Sequence, residues 1–332
     1  MNRDKLKWLF YEKRFELRNN RITDIIRRHI IIPVFGHELR TFVYGGKILH
    51  GPEYANKKIA ELINGEKPFM VSRFGNTEIN NLDSYMRKTI CGLSEEYKDF
   101  DKKWWDNLSI QAGFFPKDES LHEKFAKVLY SSAKEVDVLG VWNRRMEDYY
   151  IRTAMPDVEI TALRWLEPWY SDTPWTWALK GKKVLVIHPF EDSIKEQYQK
   201  RKVIFPENEL LPECELDVLK AVQTLGDNKD DRFNTWFDAL EYMYDEALKR
   251  DFDVAIIGCG AYGMPLAAML KKAGKKTIHI GGVTQCLFGI KGSRWVNSPL
   301  DKKIPINEKW IYPKENETPH NSTDVENGCY WK

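Results

Sequence analysis

The chain has 332 residues, 42% of them apolar and 30% charged, which is ordinary for a soluble α/β protein with room for a sizeable core. With 51 Lys/Arg against 49 Asp/Glu, nothing in the overall charge argues for nucleic acid as a partner. Five dispersed cysteines without CxxC or zinc spacing, no signal peptide and no membrane-length apolar run point to reduced thiols in the cytoplasm.

In chain order, residues 1 to about 45 form a basic helical arm. The first 40 carry ten Lys/Arg against five Asp/Glu, and Leu6, Leu9, Phe10 and then Ile25, Ile26, Ile30 recur at helical spacing before Pro33 stops the pattern. Two readings stay open for this arm: a helix packed on the main domain, or a surface helix drawn to anionic headgroups at the inner face of a membrane. From residue 46 to 300 strands alternate with helices. PEYANKKIAELING ends at Gly65, FMVSRF is a strand, and a helix opens at Thr77. VDVLGV and KGKKVLVIHPF are buried strands, with Asp192 or Ser193 placed to cap the helix that follows. FNTWFDALEYMYDEAL is an amphipathic helix, and DVAIIGCGAYGMPLAAMLKKAGKKTIHIGG gives strand, glycine turn, helix and strand. This alternation predicts a Rossmann-like, mostly parallel sheet flanked by helices. Residues 301 to 332 form a polar tail that wraps the domain, with CYW docking at its end.

Four places have residues suited to chemistry. GCGAYG, Gly258 to Gly263, follows a strand and opens a helix, where Gly258, Gly260 and Gly263 would let backbone amides approach a phosphate; a tight packing turn is the plainer alternative. No Asp or Glu ends the next strand, TIHIGG, so the ribose contact of a dinucleotide is missing. FGIKGSRW offers Lys291 and Arg294 on a glycine-flanked loop, either an exposed basic loop or a phosphate contact. In SRFGNTE, Arg73 closes a strand, Gly75 turns, and Asn76 with Glu78 could suit a hard divalent ion; equally, Asn76 or Thr77 caps the helix and Glu78 favours its positive end. LRWLEPWYSDTPWTW places four tryptophans beside Glu167 and Asp172, a composition that suits sugar stacking as well as a core; Glu167 is the candidate general base. His188, at a strand end, is either a phosphate or hydroxyl contact or a structural histidine.

Taken together and in this order, FMVSRFGNTEI, LEPW, KGKKVLVIHPF, DVAIIGCGAYGMPLAA and IHIGGVTQCLFGIKGSRW resemble the GT-D type glycosyltransferases, a bacterial family first catalogued as a domain of unknown function. The resemblance covers roughly residues 50 to 297. It implies transfer of a sugar from a nucleotide-sugar donor, often UDP-linked, to a glycan, lipid-linked or glycoprotein acceptor in surface polysaccharide assembly. Arg73, Gly75, Gly258, Gly260, Tyr262 and Gly263 would then contact the donor together with Lys291 and Arg294, and Glu78, Glu167 and His188 would serve catalysis. That family's first motif reads Arg-Phe-Gly-Asp-x-Glu; here Asn76 replaces the aspartate. Removing one formal negative charge weakens the case for Mn²⁺ or Mg²⁺ held by Glu78 and Asn76. A non-catalytic nucleotide-sugar-binding scaffold and a nucleotide-dependent oxidoreductase are the rival readings.

Overall fold

In a computed structural model, residues 2–26, 43–92, 95–207, 209–225, 230–297 and 303–331 are described. Nine strands form one sheet: β1 (Val43–Tyr44), β2 (Lys47–His50), β3 (Met70–Ser72), β4 (Val138–Val141), β5 (Glu159–Ala162), β6 (Lys183–His188), β7 (Glu215–Lys220), β8 (Val254–Ile257) and β9 (Lys276–His279). Their order is β1-β2-β5-β4-β3-β9-β8-β6-β7, and every pairing is parallel except the β1–β2 hairpin. The expected Rossmann-like α/β class is what the chain adopts. Gly45 and Gly46 make the hairpin turn at φ +58° and +81°, a conformation that favours glycine.

The longer helices are α1 (Arg3–Arg18), α2 (Arg21–Ile26), α3 (Pro52–Asn64), α4 (Asn76–Cys91), α5 (Lys98–Ala112), α6 (His122–Ala133), α7 (Glu147–Ala154), α8 (Glu191–Gln199), α9 (Trp236–Leu248) and α10 (Gly263–Lys272). Because helices cover both faces, interior strands such as β4 and β8 are apolar and buried throughout. In β8, Ala255 and Ile257 join the core beneath α4, α6, α9 and α10, while Val254 and Ile256 join the opposite core, which α3, α8 and the C-terminal segment close. Helix α9 starts on a reciprocal cap, Thr235 Oγ1 accepting from the Asp238 amide at 3.2 Å and the Asp238 carboxylate from the Thr235 amide at 2.8 Å.

One expectation needs correction. Neither Asp192 nor Ser193 caps α8; their amides donate to Glu317 from the C-terminal segment, at 2.7 and 3.2 Å. Gly65 ends α3 as expected, standing at its C-cap in extended backbone (φ −71°) and donating its amide to Glu61 at 2.9 Å. The N-terminal helix is part of the main body on one side: Trp8 and Tyr11 of α1 are buried in the larger core. Near the end of the chain, Cys329 and Trp331 are buried. Among the described residues, no helix is long and apolar enough to cross a membrane.

Candidate functional site

A cleft of about 610 Å³ opens over the carboxyl ends of five adjacent strands, β5, β4, β3, β9 and β8. Loops at this edge of a parallel sheet are where ligands bind in open α/β folds. The cleft unites segments almost two hundred residues apart: Arg73, Asn76 and Glu78 after β3 face Gly260 and Ala261 after β8.

Arg73 lies with its guanidinium 4.9 Å from the Trp142 ring centre, and Arg144 lies 4.0 Å from the same ring. The Trp142 indole is fixed by donating to the Phe74 carbonyl at 3.0 Å. Each arginine has a buried Nε without a hydrogen-bond partner. Burial lowers the pKa of both guanidiniums; Glu78 opposes this at Arg73, while Arg294 adds to it. Two like charges thus face one aromatic ring, each with a buried Nε unspent, while Glu78 and Glu147 offset Arg73 and Glu147 offsets Arg144 in part.

The loop that presents Arg144 is held under strain. Asn143 and Met146 both occupy left-handed backbone, at φ +59° and +56°, though neither is glycine. The buried Glu147 carboxylate fastens the loop from beneath, accepting from the Trp142 and Arg144 amides at 3.2 Å each and from the Tyr44 hydroxyl at 3.0 Å. Burial pushes the Glu147 carboxyl up to about 7. Nothing in the sequence pattern VWNRRMEDYY marks Arg144 as a site residue; the only signal is a pair of arginines directly after a buried strand.

Glu78 folds back over Gly75, where a Cβ would meet its carboxylate and push that side chain aside. Burial raises the Glu78 pKa, and Arg73 opposes the shift. The Asn76 side-chain oxygen accepts from Arg144 Nη1 at 3.3 Å, so a guanidinium stands beside the would-be metal ligand. Among the described residues no group of three or more His, Cys, Asp or Glu converges. One carboxylate and one amide oxygen already facing a cation do not fit a resident divalent ion.

The remaining candidates divide. Glu167 lines the cleft, its carboxylate accepting from the Trp169 indole at 2.9 Å. Arg294 lines the opposite wall, donating to the Tyr330 hydroxyl at 2.7 Å and paired with Glu326. Of the glycine turn, Gly260 reaches the cleft, at φ +59°. Gly258 is packed against His188 and Thr284, with a Cβ falling 2.7 Å from each, and Gly263 against His279. Tyr262 is a core residue stacked 4.8 Å from Trp236. His188 is buried, its Nδ1 accepting from the Phe190 amide at 3.1 Å, and burial drives it down to about 3. Lys291 lies outside the cleft, its ammonium 5.1 Å from the Tyr312 ring centre.

The tryptophan-rich stretch contributes Leu163, Arg164, Leu166 and Glu167 to the cleft but none of its indoles; Trp175 is in the core. The aromatic lining is instead Trp142, Trp295 and Tyr330. His279 also faces the cleft, bonded through Nδ1 to Ser72 Oγ at 2.9 Å, and burial with Arg73 drives it down to about 3. It stands at the end of β9, the position a ribose-binding acid would take in a dinucleotide enzyme. Comparison with protein-family models, with curated proteins and with solved structures yields no match to this chain.

Proposed function

We propose that the protein is a glycosyltransferase whose cleft takes the diphosphate of a nucleotide-sugar donor, UDP-linked in the first instance. The observation that carries the reading is the Arg73–Trp142–Arg144 arrangement, two guanidiniums with buried, unpartnered Nε atoms at the carboxyl edge of the sheet. Such donors suit a multiply charged phosphate ligand, and the order of motifs resembling GT-D enzymes supplies the sugar-transfer chemistry.

In this reading the acceptor hydroxyl attacks the anomeric carbon as the bond to the diphosphate oxygen breaks. The diphosphate leaves with the electron pair, and Arg73 and Arg144 neutralise the charge that develops on it. Glu167 takes the acceptor proton. Glu78 orients Arg73 from beside Gly75. Arginine thereby does what a divalent cation does in metal-dependent transferases, consistent with a donor set that does not fit one.

The test is a thermal-shift screen of nucleotide sugars with and without Mn²⁺, followed by a transfer or donor-hydrolysis assay in a chelator. A UDP-sugar that raises the melting temperature without metal, and is turned over in the chelator, is the expected result. Binding that requires Mn²⁺ overturns the arginine assignment; failure of every nucleotide sugar to bind overturns the transferase. A non-catalytic scaffold is the second reading, favoured by Asn76 beside Arg144, and binding without turnover of any donor selects it.

A further inference from the structure

Helix α1 is committed to the core on one side only. Trp8, Tyr11 and Glu12 face inward and are buried, with Glu12 paired to Arg145. On the other side Leu6, Phe10 and Leu17, spaced i, i+4 and i+11, fall on one line of the helix and are 48%, 62% and 57% exposed. By the same spacing Arg3, Lys7, Lys13 and Arg14 flank that line, and none of the helix's acids (Asp4, Glu12, Glu16) falls on it. The following helix α2 adds Ile22, Ile25 and Ile26, which are also exposed. Of the flanking cations, Lys13 pairs with Glu16 at 3.0 Å and Arg14 with Asp148 at 3.6 Å, but the apolar line itself carries no acid, which sets it apart from an ordinary solvated face.

We propose that this face lies on a bilayer surface bearing anionic headgroups. Leu6, Phe10 and Leu17 enter the boundary between headgroups and acyl chains, and the exposed Arg3, Lys7 and Lys13 meet the lipid phosphates. A second copy of the chain is the poorer occupant, because a two-fold contact through this face sets the basic fringe against itself. The inference is independent of the transferase reading, since vesicle binding requires no donor.

The experiment is co-sedimentation of the full chain with phosphatidylcholine vesicles, with and without phosphatidylglycerol, at low and high salt. Binding that needs phosphatidylglycerol and is released by salt is expected. Phe10→Ser with Leu17→Ser, and separately Lys7→Glu with Lys13→Glu, lower vesicle affinity at least roughly fivefold. Both leave the melting temperature unchanged, because all four side chains point to solvent. No partition into anionic vesicles overturns the proposal, as does partition undiminished in both double variants. A lipid-free dimer, seen by light scattering and dissolved by Phe10→Ser, assigns the face to a second copy instead.

Discussion

The two walls of the cleft hold the same residue type in opposite states. On one, Arg73 and Arg144 share Trp142 and retain unpartnered donors. On the other, Arg294 arrives already neutralised by Glu326 and bonded to Tyr330. A buried guanidinium donor without a partner costs stability, whereas a paired one holds structure together. Under the proposed function, the first wall is therefore where an anion would bind, and the second is closed by the C-terminal segment.

The sharpest break would come at Arg144. Arg144→Met should weaken nucleotide-sugar binding by about 10- to 100-fold, the worth of charge-assisted hydrogen bonds, in isothermal titration calorimetry. Its melting temperature should hold or rise, because the variant removes a guanidinium whose burial outweighs the attraction of Glu147. A large fall in melting temperature would mean that this arginine is structural, and the distinction between the walls would collapse. Gly75→Ala is next: its methyl group swings the Glu78 carboxylate away from its place beside Arg73, so turnover should fall while stability by chemical denaturation changes by less than about 1 kcal/mol.

A pH measurement sharpens the unpaired side. His279 titrates near 3 rather than 6.5 because of burial and then Arg73. Between those values the unfolded chain binds a proton that the folded one refuses. Stability from this group is thus complete above about 6.5 and drains as pH falls toward 3, at up to about 1.4 kcal/mol per pH unit. Arg73→Ala should raise the histidine pKa, measured by NMR, and flatten that acid limb. The smallest effect belongs to the paired wall: Glu326→Gln frees Arg294 and should tighten diphosphate binding by roughly two- to fivefold, the worth of an exposed ion pair. A loss of affinity would show that Glu326 supports binding rather than competing with it.

Much of the frame was readable from periodicity. The β8–turn–α10 unit, β6 and α9 announce themselves because buried parallel strands are continuous apolar runs and α9 is strictly amphipathic. The convergence of SRFGNTE with the second half of the glycine turn also follows from strand order. What escaped was set by tertiary contacts. Arg144 depends on two non-glycine residues in left-handed backbone, which no local propensity reveals. Strand β7, ELDVLK, sits at the sheet edge with a polar, half-exposed beginning, so it lacks the apolar signature of its neighbours. The tryptophans near Glu167 looked like a sugar platform, but tryptophan composition does not distinguish core from cleft. His188 and Tyr262 illustrate the same ambiguity, both being used to fill space around the glycine turn.

Arg144 and Arg145 are joined by one peptide bond and look in opposite directions. Arg145 is clamped by Asp83 at 2.6 Å and by Glu12 of α1, while Asn143 donates to Asn19, just past the end of that helix, at 3.2 Å. The loop is thus pinned on one side to the outer helix and on the other presents Arg144 to the cleft. Displacing α1 would strain contacts in the very segment that carries a cleft arginine, so the surface helix and the interior share one short stretch of backbone.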